Sequence, residues 1–184
     1  MKIAITGHRP NKLGNDYNLI SPLIIAIKEE IKSIVEIYAV ECMEKNEELR
    51  LITGMALGID TLFARIAVEL HIPFIAAVPF RGQENRWVQS SIDEYYSLLK
   101  LASKIVCTDT GKVFEDINVG KFLSEPRTEF SGHKMQKRNE WMVNNCDRLI
   151  AVWDGTGGGT ANCIRYAESI GKEIVRINPL EIAA

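Results

Sequence analysis

The run Asp154-Gly155-Thr156-Gly157-Gly158-Gly159-Thr160 places four glycines within five residues, directly behind an apolar stretch that ends at Trp153. Glycine lets the backbone reach φ > 0 and approach a ligand closely. From Thr160 onward the apolar residues recur at helical spacing, so the run reads as strand, turn and helix start. The unpaired N–H groups and dipole of a helix N-terminus favour an anion such as phosphate. The same composition also serves plain turns, so the reading depends on what else the chain brings beside it.

Three other segments carry residues suited to such a ligand. Gly7-His8-Arg9-Pro10 follows a short apolar start. Arg9 could grip two phosphate oxygens with its planar fork, or be a solvated surface arginine. His8 could donate to a phosphate or ribose, or belong to the turn. Gly54-Met55-Ala56-Leu57-Gly58-Ile59-Asp60 is a second strand-to-helix turn, bracketed by glycines, whose amides would face the same cleft. Its Asp60 either caps the helix or accepts from a ribose hydroxyl. In the loop 81–87, Trp87 offers a stacking face or packs in the core, and Gln83 or Glu84 offers an acceptor. Lys134, Lys137 and Arg138-Asn139 sit on a helix just before the glycine strand, where most charges are solvated.

The elements that must position these loops alternate. Residues 2–6, 49–53, 74–80, 104–108, 148–153 and 173–177 are short apolar runs typical of buried strands. Between them, Leu23, Ile27, Ile31, Ile34, Val35 and Tyr38 form a helical stripe, with Ser21 as N-cap and Pro22 at the first helical position. Residues 62–70, 92–102, 134–145 and 161–170 supply further helices. This alternation predicts an α/β fold, a Rossmann-like three-layer sandwich with a mainly parallel sheet. Such sheets bind ligands beyond the carboxyl ends of their strands, and all four loops fall on that edge. Residues 109–131 break the rhythm, with Gly111, Gly120, Pro126 and mixed charges. They are read as a lid or arm, with an extra hairpin as the other option.

The 184 residues fit a single domain (1–184) able to bury a real core. A hydrophobic share of 46% and a net charge of −2 describe an ordinary globular chain and argue against a broad nucleic-acid face. The four cysteines and three histidines are scattered, so no metal site and no resident cofactor is expected. The apolar start breaks off at Thr6-Gly7-His8-Arg9-Pro10, and no run reaches the roughly 20 residues of a bilayer span. The expectation is a cytoplasmic protein without a membrane partner.

Taken together, these motifs resemble the SLOG superfamily of Rossmann-like proteins, most closely its YpsA-like branch. Ile5-Thr6-Gly7-His8-Arg9-Pro10 looks like that branch's first loop, and Ile52–Asp60 like the second, which is also similar to a loop of the DNA-processing protein DprA. Pro79-Phe80, Gln83-Glu84, Trp87, Arg138-Asn139, Asp147 and Gly157–Thr160 continue the match in the order seen in LOG-type phosphoribohydrolases. The resemblance implies nucleotide binding at the glycine loops. In the LOG type it also implies N-glycosidic cleavage, with an arginine and a glutamate at the ribose. Here Arg138 can stand for the arginine, but Cys163 occupies the glutamate position. A cysteine cannot stabilise an oxocarbenium-like centre as a carboxylate does.

The first expectation is therefore a sensor or sequestering protein for a phosphate-containing, ADP-ribose-like or cyclic nucleotide, bound by Gly7, His8, Arg9, Gly54, Met55, Gly58, Asp60, Glu84, Trp87, Arg138, Asn139, Asp154, Gly155, Thr156, Gly157, Gly158, Gly159 and Thr160. The alternative is an N-glycosidase or deoxyribosyltransferase using Glu84 or Asp154, with Asp60 a further carboxylate in reach. A DprA-like protein binding single-stranded DNA is the third, disfavoured by the acidic balance. A homodimer or homotetramer is expected from superfamily habit.

Overall fold

The computed structural model describes residues 1–115 and 119–182. Its sheet has seven strands in the order β5-β4-β3-β2-β1-β6-β7. These are β1 (Lys2–Gly7), β2 (Arg50–Thr53), β3 (Phe74–Val78), β4 (Lys104–Cys107), β5 (Lys112–Glu115), β6 (Arg148–Val152) and β7 (Glu173–Ile177). Every pairing is parallel except that of β4 with β5. The helices are α1 (Pro22–Glu44), α2 (Ile59–Glu69), α3 (Gln89–Leu99), α4 (Val119–Ser124), α5 (Gly132–Asn145), α6 (Gly159–Ser169) and α7 (Pro179–Ile182). The predicted Rossmann-like α/β sandwich is the observed fold.

Alternation along the strands builds the layers. Ile3, Ile5, Leu51, Phe74, Ile105 and Ile150 point to one face, where α1, α2 and α3 cover them. Ala4, Ile52, Ile75, Val106 and Leu149 point to the other, under Met142 and Val143 of α5 and Cys163 and Ala167 of α6. Both faces are thus sealed, which is why these strands read as unbroken apolar runs. Each fully buried side chain of this kind contributes about 1.5–3 kcal/mol.

Helix ends follow the local chemistry. Ser21 Oγ accepts the Ile24 N–H at 3.4 Å, with Pro22 at the first helical position, as predicted. α6 begins at Gly159, earlier than its apolar stripe, because Gly158 at φ +136 turns the chain into the helix. The segment 109–131 starts as a hairpin: Lys112 pairs with Cys107 and Glu115 with Lys104. α4 follows, and residues 125–131 lead without regular structure into α5. Part of that segment, 116–118, lies outside the described residues. No helix among the described residues is long and apolar enough to cross a membrane.

The chain runs outward from β1 through β2, β3 and β4, then returns to place β6 on the other side of β1. The switch in strand order therefore falls between β1 and β6. Their carboxyl ends carry Gly7-His8-Arg9 and the glycine turn.

Candidate functional site

Close approach at the end of β1 dictates two of the glycines. A Cβ on Gly7 would lie 2.5 Å from the Ile59 Cβ, because the first turn of α2 packs against the strand end. Gly58, at φ +94, would place its Cβ 2.5 Å from the His8 carbonyl oxygen, which accepts the Ile59 N–H at 3.2 Å. The two loops are thus interlocked before any ligand is considered.

The first loop is also tied to the glycine turn. His8, 3% exposed, has Nε2 2.6 Å from Asp154 Oδ1. Burial pushes the Asp154 carboxyl up, but the Thr156 hydroxyl and amide, together with His8, outweigh it and hold the pKa at about 2. Burial lowers the His8 pKa, and the Asp154 carboxylate only partly offsets that. The Asp154 backbone N–H also points at the same Nε2, 3.1 Å away, so the carboxylate and the amide of Asp154 converge on one ring nitrogen. Lys12, in a single 3-10 turn over Pro10–Lys12, adds a second tie: its Nζ donates to the Gly157 carbonyl oxygen at 2.9 Å and to Thr156 Oγ1.

Above the turn there is room. A Cβ on Gly157, Gly158 or Gly159 would meet no heavy atom within 4 Å. No side chain among the described residues caps α6. The Gly159, Thr160 and Ala161 amides find no acceptor among the described residues; the first amide bonded within the helix is that of Asn162, to Gly158 O at 3.0 Å.

α5 closes the floor. Arg138 Nη1 donates to Gly54 O at 2.5 Å and lies 3.5 Å from Asp60 Oδ2, while Nε donates to Asn139 Oδ1 at 3.0 Å. Asn139 Nδ2 donates to Gly159 O at 3.3 Å, joining this helix to the turn. Gly54 is glycine because the guanidinium passes over it: a Cβ would lie 1.9 Å from Nη1. Burial raises the Asp60 pKa, opposed by Arg138, the Ala56 amide and Arg9. Asp60 is not the cap of α2, since Gly58 holds that position and Asp60 Oδ2 instead accepts the Ala56 N–H at 3.2 Å.

These elements enclose a cavity of about 420 Å³. Of the residues predicted from sequence, Gly7, His8, Arg9, Asp60, Arg138, Asn139, Gly157, Gly158, Gly159 and Thr160 line it. Gly54, Gly58, Asp154, Gly155 and Thr156 do not, although Gly54, Gly58, Asp154 and Thr156 hold residues that do.

Three predicted residues lie elsewhere. Glu84, 1% exposed, accepts from Arg81 Nη1 and from Tyr96 Oη at 2.6 Å. It serves that buried cluster and does not line the cavity. Trp87 packs edge-on to Tyr95, ring centroids 5.4 Å apart. Met55, at φ +57, buries its side chain in the core, while Gln83 donates to its carbonyl oxygen at 3.4 Å.

Sequence reasoning missed Lys12, Phe130, Met135, Gln136 and Met142 as lining residues. Met135 and Met142 stand three residues before Arg138 and four after it, so helical spacing from Arg138 was the available signal. Phe130 lies in a segment with no periodicity and stays 67% exposed, edge-on to Phe80 at 6.4 Å. The lining therefore combines cationic Arg9, Lys12 and Arg138 and the glycine turn with apolar Phe130, Met135 and Met142. Asp60 is its one acidic lining residue among the described residues.

A glycine-lined cleft at the switch point of a mainly parallel sheet is the arrangement of a Rossmann-like domain. A family model described as the YspA SLOG family matches residues 3–174, and the chain belongs to that family. It is 32% identical over 166 residues to the uncharacterized SPbeta prophage-derived protein YoqJ of Bacillus subtilis (strain 168), covering 86% of this chain and 91% of that one. It is 21% identical over 193 residues to a UPF0398 protein of Brevibacillus brevis, covering 100% of this chain and 91% of the relative. Among solved structures it is similar in fold to DNA processing protein A (DprA) from Streptococcus pneumoniae, with a TM-score of 0.58 at 16% identity. That likeness covers 95% of this chain and 49% of DprA, so the chain spans about half the DprA length.

Proposed function

We propose that the cavity takes a phosphate-bearing nucleotide or nucleotide-derived signalling molecule, ADP-ribose-like or cyclic, and that the protein senses or sequesters it. One observation carries this reading. An uncapped helix N-terminus with open space above it adjoins Lys12 and Arg9, a cationic pocket in a chain of net charge −2. Anionic groups are favoured there by free amides, helix dipole and side-chain charge together. The apolar part of the lining suits a base: Phe130 offers a ring, and Met135 and Met142 adapt to it.

The N-glycosidase reading keeps one support, a carboxylate beside an arginine at Asp60 and Arg138. Of the carboxylates considered for that chemistry, Asp60 alone lines the cavity; Glu84 and Asp154 are occupied by other partners. Binding of single-stranded DNA is disfavoured by the acidic balance. A cytoplasmic location belongs to the same proposal. So does assembly as a homodimer or homotetramer, which the exposed Ile37, Val40 and Met43 along α1 support.

The test is to incubate the protein with NAD, ADP-ribose, cyclic ADP-ribose isomers, nucleoside monophosphates and cyclic dinucleotides, then denature it and identify what is released. An intact nucleotide at about one per site is the expected result. Free base accumulating beyond the amount of protein would replace sequestration with catalysis, and recovery of no nucleotide would reject the site.

A further inference from the structure

Asp60 and Arg138 carry chemistry that anion binding does not use. Asp60 is 6% exposed and Arg138 5%. Asp60 Oδ2 is engaged by the Ala56 amide and by Arg138, while Oδ1 has no partner among the described residues. On Arg138, Nη1 serves Gly54 and Asp60 and Nε serves Asn139, while Nη2 has no partner among the described residues. The fully enclosed side-chain polar atoms without a partner, among the described residues, are Arg81 Nε and Glu84 Oε2. Asp60 Oδ1 and Arg138 Nη2 are not enclosed in that way, and the cavity that both residues line is what they open to.

With Asp60 ionised opposite the Arg138 guanidinium, a nine-tenths-buried pair thus presents an acceptor beside a group that can only donate. A ligand that displaces water from them must satisfy both, because an unpaired buried charge is costly. A phosphate satisfies Arg138 and is repelled by Asp60. A vicinal diol satisfies both: one hydroxyl gives its proton to Asp60 Oδ1, and its neighbour's oxygen accepts from Arg138 Nη2.

We infer that Asp60 and Arg138 form a diol-recognition pair that selects a ribose over a 2-deoxyribose. This rests on the nucleotide reading above and names the sugar that site accepts. The amide oxygen of Asp60→Asn is held by the Ala56 N–H and Arg138, so its NH₂ takes the place of Oδ1 and can only donate. That variant loses the discrimination while keeping the neighbouring anion site.

The experiment is calorimetric titration of the full chain with four probes: ribose 5-phosphate, 2-deoxyribose 5-phosphate, adenosine 5′-monophosphate and its 2′-deoxy counterpart. The expected result is tenfold or greater preference for each ribo form, falling below threefold in Asp60→Asn. The comparison within the natural protein needs no variant, so misfolding of Asp60→Asn cannot mask it. Equal affinity for ribo and deoxy forms overturns the diol pair and leaves the nucleotide site standing. A preference that persists undiminished in folded Asp60→Asn overturns the part assigned to Asp60. Binding of none of the four overturns the diol pair and, with it, a site for simple nucleotides.

Discussion

Lys12 Nζ reaches across 145 residues of sequence to the carbonyl oxygen of Gly157, 2.9 Å away, and fixes the glycine turn from the opposite loop. The ammonium is thereby held at the mouth of the uncapped α6 helix. Lys12→Ala is expected to weaken phosphate-bearing ligands by tenfold or more, the effect of losing a charge-assisted bond worth roughly 1.5–3 kcal/mol. Titration with adenosine 5′-monophosphate checks it, and unchanged affinity would remove Lys12 from the site.

Gly158→Val tests the turn itself. Nothing lies within 4 Å of the added Cβ, but φ +136 strains any side chain there. Ligand affinity is expected to fall at least tenfold. Stability should drop by only about 1–3 kcal/mol, the cost of an unfavourable backbone region. Circular dichroism separates the two, because a folded variant with normal affinity contradicts the placement of the anion.

Phe130→Ala and Trp87→Ala should behave as opposites. Phe130 is 67% exposed at the cavity, so its loss is expected to leave the melting temperature unchanged and weaken base-bearing ligands by about 1–3 kcal/mol, the range for aromatic–base stacking. Trp87 packs on Tyr95 away from the cavity, so its loss should lower stability and spare affinity. Parallel melts and titrations would expose a reversed assignment.

His8 and Asp154 make stability depend on pH in two windows. Burial lowers the folded-state pKa of His8 below 6.5, so beneath that pH the unfolded chain takes up a proton that the folded chain resists. Stability therefore falls as pH drops through that window. Asp154 adds stability above its ordinary value of 3.8, and this is lost as pH falls towards about 2. His8→Gln is expected to destabilise at pH 7 by about 1–3 kcal/mol, having taken a partner from a buried polar contact, yet to lose less on acidification from pH 7 to pH 5. Denaturant melts at the two pH values decide it, and identical slopes for both proteins would contradict the role of His8.

Much of this was legible in the sequence because the sheet is sealed on both faces. Ile3-Ala4-Ile5 and Leu149–Val152 are apolar without interruption, and the glycines between strand and helix mark real contacts at Gly7, Gly54 and Gly58. What remained illegible was direction. Glu84 and Trp87 lie in a loop at the proper sheet edge, but their side chains turn to Arg81, Tyr96 and Tyr95. β5 gave no strand signal, because it is a four-residue edge strand, mostly exposed. Phe130 was hidden in the same way, in a stretch whose course is set by tertiary contacts rather than periodicity.

The central place of β1, paired with β2 on one side and β6 on the other, also governs when the site can exist. The first strand waits for a neighbour that arrives more than 140 residues later, and His8, Arg9 and Lys12 wait with it for the glycine turn. Such long-range parallel pairing is slow to form. An incomplete chain ending before β6 would leave one edge of β1 unpaired and its cavity without the glycine turn. The cavity is therefore a property of the finished fold, and a molecule that bound there would add its stabilisation only to chains that have closed this last seam.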